Sequence, residues 1–141
     1  MRPTPRAFTL VEILIVVVIL GILAAIVIPS FARATSDAAE NVTLNELSKL
    51  RRHVGIFQAR NGDRLPNVVQ GNGTWGELVG PDHFLAPPTN PWVGGGTQRV
   101  ITFGNAPDGG YQSLYGWIYD PATGDVWAGG FDGNDLPYPR N

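Results

Sequence analysis

The sequence predicts an α+β fold in which one long N-terminal helix packs on a small antiparallel sheet of about three strands. Three observations support this prediction. An apolar run extends from Phe8 to Ile28, leucines at helical spacing follow it, and the last third of the chain is rich in β-branched and aromatic residues. Strands that come together after a helix, rather than alternating with helices, indicate the α+β class.

The apolar run has the length of a membrane-spanning helix, which needs about 20 residues. A secretory signal peptide would have a shorter apolar region followed by a small-residue cleavage site. A plain signal anchor fits the length but does not explain the charge of Glu12 inside the run. Arg2 and Arg6 precede the run and Arg33 follows it, which favours a cytoplasmic N-terminus with the bulk of the chain outside. We therefore predict a transmembrane segment over residues 8–29.

Glu12 carries the only charge within that segment. A carboxylate at the centre of a membrane helix costs about 2.5–3.5 kcal/mol on insertion scales. We therefore expect Glu12 to have a cationic partner. The alternative is that its side chain lies at headgroup depth, near water, and has no role.

The segment AFTLVE (residues 7–12), with basic residues before it and an apolar run and Pro29 after it, closely resembles the N-terminus of type IV pilins and type II secretion pseudopilins. In that family a membrane peptidase cuts before a Phe, the new amine is methylated, and a Glu follows four residues later. The resemblance implies a leader over residues 1–7, cleavage between Ala7 and Phe8, and methylation of Phe8. Ala7 stands where the family usually has Gly.

Cleavage before Phe8 would create a cationic amine at the membrane edge, close to Glu12. The two groups are four residues apart, so they can pair within one helix, or the amine of an incoming subunit can reach Glu12 of a docked one. Gly21 and Pro29 are helix breakers. Pro29 alone can mark the end of the span, but the resemblance implies that the segment between the two loosens in a fibre. We predict a kinked continuous helix in the free subunit.

Residues 30–61 are predicted as the amphipathic second half of the helix. Apolar side chains recur there at three- and four-residue steps and define one face. They are Leu44, Leu47, Leu50, Val54 and Phe57. Asn61 and Gly62 can adopt the left-handed conformation that ends a helix.

Residues 62–141 are predicted as a head with a loop region and an antiparallel sheet. Thr74 to Val79 has capping-box spacing through Thr74 and Glu77. Pro88 to Trp92 resembles the NPW-like loop that leads into the sheet of G-type pseudopilins. The expected strands are Arg99 to Phe103, Tyr111 to Tyr119 and Asp125 to Ala128, with a hairpin at Asp120 to Gly124.

Four aromatic side chains of the head have two interpretations. They are Tyr115, Trp117, Tyr119 and Trp127. Their alternation fits a half-buried sheet packed on the helix, and we favour core packing. An exposed platform that stacks on a glycan or nucleic acid is the alternative.

The acidic turn of Asp132, Asn134 and Asp135 is a candidate calcium site, because hard cations take several oxygen ligands. G-type pseudopilins hold calcium in an acidic loop near this end, although the local sequence differs. A plain Asx turn is the alternative.

The remaining composition excludes several function classes. The chain has no cysteine, so it has no disulfide or thiolate chemistry, and its net charge of −2 without a basic run does not indicate nucleic acid binding. His53 and His83 lie far apart in sequence and are interpreted as ordinary surface or boundary residues. No catalytic arrangement is evident, so we do not expect an enzyme.

The sequence thus predicts a structural subunit that polymerises into a pilus-like filament, with a type II secretion pseudopilus preferred. The resemblance implies a prepilin peptidase, minor pseudopilins and an inner-membrane assembly platform as partners. It also implies a bacterial inner-membrane location, with the head periplasmic and the assembled filament outside the membrane. A type IV pilus for adhesion, motility or DNA uptake remains open within this class. The alternative class is a membrane-tethered module that binds a glycan or peptide.

Overall fold

The computed structural model describes residues 8–140. The predicted leader, residues 1–7, ends at Ala7 and lies outside the described residues. Helix α1 spans Leu10–Arg60 as one element of 51 residues and continues through Pro29. The chain divides into two compact units, one ending at Ser36 and one beginning at Asp37. The predicted long N-terminal helix is confirmed.

The sheet of the second unit has four strands in the order β1-β2-β3-β4. They are β1 (Gly71–Asn72), β2 (Val100–Phe103), β3 (Trp117–Tyr119) and β4 (Val126–Ala128). The β1–β2 and β3–β4 pairs are antiparallel, but β2 and β3 run parallel. The prediction of a purely antiparallel sheet of about three strands is therefore wrong in strand direction and short by one strand.

The parallel pair arises because the chain from residue 104 to residue 116 returns as a loop instead of a strand. The carboxylate of Asp108 accepts hydrogen bonds from the Tyr115 hydroxyl at 2.5 Å, from Gln112 at 2.9 Å and from the Gly130 N–H at 2.7 Å. This network holds Tyr115 in the loop, so only Trp117–Tyr119 of the predicted strand Tyr111 to Tyr119 enters the sheet. Burial raises the pKa of Tyr115 to about 12, and the bond to Asp108 adds to the effect.

The core lies between the second half of α1 and the sheet. Leu47, Leu50, Val54 and Phe57 of α1 are buried, as the apolar stripe predicts, while Leu44 packs at the edge of the core. All three residues of β3 are buried, so the expected alternation of a half-buried strand is absent there. Packing of Trp117 and Tyr119 in the core is confirmed, and neither forms an exposed platform.

Asn90 connects three parts of the head. Its side-chain amide donates to the carbonyls of Gly116 at 2.8 Å and Gly129 at 2.9 Å. Its carbonyl oxygen accepts from the Trp92 N–H and from the Thr43 hydroxyl of α1, both at 3.0 Å. Asn90 is fully buried, and these four bonds use both of its donors and both of its acceptor positions. The NPW-like loop is therefore a structural link between helix and sheet.

The predicted capping box at Thr74 and Glu77 is wrong. A short 3₁₀ helix does form at Gly76–Leu78, but Trp75 precedes it without a side-chain cap. The Thr74 hydroxyl instead donates to the carbonyl of Val69. The Glu77 carboxylate accepts two bonds from the Arg64 guanidinium, at 2.8 and 2.9 Å, because the loop after α1 brings Arg64 beside it.

The Arg64–Glu77 pair predicts a loss of stability in acid. Bonds from Arg64, and from the Asn67 N–H at 2.9 Å, lower the pKa of Glu77 from its ordinary 4.5 to about 2. A depressed folded-state pKa contributes stability that is present above 4.5 and lost as pH falls through about 2. We expect the free energy of unfolding to fall less steeply over this window in Glu77→Gln than in the unmodified chain. Denaturant unfolding at a series of pH values measures both slopes.

The matched control for that experiment is Glu46→Gln, which removes a carboxylate that pairs with Lys49 one helical turn away. The Arg64–Glu77 pair is exposed, so added salt should reduce the difference between the unmodified and Glu77→Gln slopes. Equal slopes at low salt would contradict the prediction.

Candidate functional site

Helix α1 begins with a reciprocal cap between Thr9 and Glu12. The Thr9 N–H and the Thr9 hydroxyl donate to the same carboxylate oxygen of Glu12, Oε2, at 2.8 and 2.7 Å. The Glu12 N–H donates back to the Thr9 hydroxyl oxygen at 3.2 Å. Because the helix begins at Leu10, Thr9 is the N-cap and Glu12 the third helical residue, which is the arrangement of a capping box.

Our sequence reasoning treated Glu12 as a lone carboxylate and missed Thr9. The signal was present, since Thr followed three residues later by Glu at the start of an apolar run indicates a helix N-terminus. The cap fixes the Glu12 side chain at the first turn of the helix. Both hydrogen bonds from Thr9 to the carboxylate go to Oε2. In the part of the chain that the structure describes, no cationic side chain pairs with Glu12.

The side chains around Glu12 form a continuous apolar surface. Every residue from Phe8 to Phe31 is exposed, and Phe8 itself is 78% exposed. By length and composition this helix can cross a membrane. An apolar surface of this size requires lipid or another protein surface as its partner. The site therefore combines an unburied apolar helix with one capped carboxylate near its start.

Gly21 and Pro29, the two predicted assembly residues, lie on the same helix. Nothing lies within 4 Å of the position of a side chain at Gly21, so no contact within the subunit requires glycine there. Pro29 lacks the N–H that would continue the helical bonds. The adjacent Ser30 hydroxyl donates to the carbonyl of Val27 at 2.8 Å. The helix is continuous through Pro29, as predicted for the free subunit. The kink at Pro29 and the loosening of the segment in a fibre stay predictions.

The two carboxylates of the predicted calcium site, Asp132 and Asp135, already have protein partners. The Arg51 guanidinium donates to both carboxylate oxygens of Asp135, at 2.5 and 2.9 Å. Oδ1 of Asp132 accepts from the backbone N–H groups of Leu136 and Asn134, which lower the pKa of Asp132. This is the geometry of an Asx turn closed by an ion pair, and it does not fit calcium without displacement of Arg51. Calcium binding there stays a prediction.

The two histidines lie far apart in sequence but come together in the structure, and both are partly buried, as expected of boundary residues. Nδ1 of His53 on α1 lies 3.3 Å from Nδ1 of His83, and the rings meet edge to face. Partial burial lowers the pKa of His53, and the charges of His83 and Arg52 lower it further. Sequence spacing gave no signal of this contact, because the loop after α1 determines where His83 lies.

In comparisons with known proteins, a family model matches the same N-terminal segment, and fimbrial relatives match a larger part of the chain. The model of the prokaryotic N-terminal methylation motif matches residues 3–28. The type IV major fimbrial protein FimA of Dichelobacter nodosus is 37% identical over 114 residues, which cover 74% of this chain and 70% of that protein. Another FimA of that organism is 47% identical over 117 residues, or 77% of this chain and 73% of the relative.

The match to a secretion protein covers a shorter part of the chain. The type II secretion system core protein G of Dickeya chrysanthemi is 33% identical over 73 residues, which are 52% of this chain and 47% of that protein. The matched region thus spans about half the length of that relative. No solved structure matches the chain. The methylation motif contains Phe8, Thr9 and Glu12, the three residues at the start of the described site.

Proposed function

This chain belongs to the family of type IV pilins and type II secretion pseudopilins, and we propose that it is a structural subunit that polymerises through its N-terminal helix into a filament. One observation carries the proposal most directly. The helix exposes apolar side chains from Phe8 to Phe31 and has a single capped carboxylate at its start. Such a surface is stable in lipid before assembly and against other helices afterwards.

Assembly in this proposal depends on processing. A prepilin peptidase cuts between Ala7 and Phe8, and the amine of Phe8 is methylated. The new cationic amine of an incoming subunit pairs with Glu12 of the subunit already docked, through the oxygen that the cap leaves available. This contact joins two different surfaces, and repetition of a head-to-tail contact that does not close generates a filament.

We place the subunit in the bacterial inner membrane, with its N-terminus cytoplasmic and its head periplasmic. The arginines before the apolar run support this orientation. An inner-membrane platform extracts it into a filament outside the membrane. A tethered glycan- or peptide-binding module is less well supported, because Trp117 and Tyr119 are buried. The relatives are structural subunits, and we propose no enzymatic activity.

For the type of filament we propose a secretion pseudopilus, in which minor pseudopilins are further partners. Two features support it: the NPW-like loop with Asn90 at its centre, and a sequence without the C-terminal disulfide common in pilus subunits. A type IV pilus is the second candidate, since the two fimbrial relatives described above match more of the chain than the secretion protein does. Deletion of the subunit in its source bacterium distinguishes the two, by loss of secreted proteins or by loss of surface fibres.

The mature N-terminus tests the processing step. We expect intact-mass and N-terminal peptide measurements on protein from membranes to show a chain that begins with methylated Phe8. The Ala7→Gly variant should be processed at least as completely, because Gly is smaller and is the usual residue of the family at this place. Phe8→Ala serves as the altered-site control. An intact Met1 in the unmodified chain would contradict the filament proposal and favour the tethered module.

A further inference from the structure

His53 and His83 present the same ring nitrogen to each other. His53 lies on α1, His83 lies in the loop that follows Gly80, and both side chains are partly exposed. Their Nδ1 atoms are 3.3 Å apart, with the ring planes at 81°. Protein hydrogen bonds from N–H donors usually measure about 2.7–3.2 Å, so this contact is long for a shared proton.

The separation matches two ligands of one tetrahedral metal ion. Zinc binds imidazole nitrogen at about 2.0–2.1 Å, and two such bonds at a tetrahedral angle place the nitrogens about 3.3–3.4 Å apart. We propose that His53 and His83 form a binding site for a divalent transition-metal ion of the zinc class. Imidazole is a preferred ligand for such ions, whereas calcium and magnesium prefer oxygen.

The surroundings of the pair define what kind of site this is. No third His, Cys, Asp or Glu joins it within residues 8–140, so water completes the coordination, and the partial exposure of both rings admits water. The pair supplies two protein ligands, where established zinc sites have three or four, so we expect a lower affinity than theirs. The positive charge of Arg52, next to His53 in sequence, also opposes a bound cation.

The ion would join α1 to the loop of residues 80–84. That loop is also held by backbone bonds, among them those from the Gly80 N–H to the Phe84 carbonyl at 2.7 Å and from the Phe84 N–H to the Leu78 carbonyl at 3.0 Å. The Phe84 ring lies 4.4 Å from the His53 ring. A ligand that binds only the folded state stabilises it in proportion to its concentration. The bound ion would thus cross-link two parts of the head. This proposal does not depend on the proposed filament function.

Thermal unfolding of the full-length chain in detergent, without a histidine tag and after treatment with EDTA, tests the proposal. We expect added zinc to raise the midpoint temperature in a concentration-dependent way, and EDTA to reverse the rise. His53→Gln and His83→Gln should each remove it. Asp82→Asn, next to His83 in sequence, is the matched control and should keep it. No rise in the unmodified chain, or a rise that persists in the His53→Gln/His83→Gln double variant, would overturn the proposal.

A second measurement avoids reliance on variants that fold poorly. Copper(II) at less than one equivalent, added to the unmodified chain, should give an electron paramagnetic resonance spectrum with hyperfine structure from two imidazole nitrogens. A spectrum with fewer than two nitrogen ligands would also overturn the proposal.

Discussion

Replacement of Glu12 by Gln is expected to prevent filament assembly while the subunit remains membrane-inserted and processed. Gln accepts the hydrogen bonds of Thr9 as Glu does, so the helix cap stays intact. The variant removes only the negative charge. The amine of the incoming Phe8 then enters an apolar helix bundle without a counter-charge.

The expected effect is large because the surviving charge is unpaired in a medium of low dielectric constant. Removal of one partner of a buried pair costs about 3–5 kcal/mol. At 1.4 kcal/mol per factor of ten, this raises the subunit concentration needed for growth by roughly two to three and a half orders of magnitude. Electron microscopy of fibres and immunoblots of sheared fractions measure assembly, and membrane fractions measure insertion.

Thr9→Ala is the matched control, because it removes the cap and keeps the charge. Loss of an N-cap costs about 1 kcal/mol of helix stability, so fibres should decrease in number but persist. If Glu12→Gln assembles normally and Thr9→Ala does not, then Glu12 acts as a helix cap and the charge-pair proposal is wrong.

The sequence predicted those features of this fold that depend on local pattern. Apolar periodicity predicted the buried face of α1 from Leu47 to Phe57. The apolar run predicted the exposed first half of the same helix. Glu12 could be predicted as a functional residue because a charged side chain within an apolar run is energetically unfavourable unless it has a partner. The role of Thr9 as the N-cap was also predictable, because a Thr three residues before a Glu at the start of an apolar run is the pattern of a capping box.

Features that depend on long-range contacts were not predictable. The direction of β3 relative to β2 is set by the loop that Asp108 holds, and neither strand carries a signal for it. The pairing of His53 with His83 depends on the path of the chain between two residues that are 30 positions apart. Asn90 was noted only as part of a Pro-rich resemblance, since an isolated polar residue in a loop gives no sign that it will be fully buried.

Replacement of Asn90 is expected to destabilise the head severely. In Asn90→Leu the carbonyl of Gly129 and the N–H of Trp92 lose their partners, whereas the Gly116 carbonyl keeps its bond from the Gly129 N–H at 2.8 Å. Each buried polar group left unsatisfied costs about 1–3 kcal/mol, so the two together cost roughly 2–6 kcal/mol. The total stability of a domain is about 5–15 kcal/mol. Near-UV circular dichroism from the buried tryptophans and resistance to proteolysis report the loss.

Two further variants test whether the loss of stability comes from the hydrogen bonds of Asn90 or from its packing volume. Asn90→Asp keeps the size but turns an oxygen toward the Gly116 and Gly129 carbonyls, so it should destabilise the head as much as Asn90→Leu. Thr43→Val removes the hydroxyl that lies 2.8 Å from the Ala39 carbonyl and 3.0 Å from Oδ1 of Asn90, and it leaves Asn90 its bond from Trp92, so it should cost only about 1 kcal/mol. If Asn90→Asp unfolds at nearly the same denaturant concentration as the unmodified chain, the four bonds of Asn90 do not hold helix and sheet together.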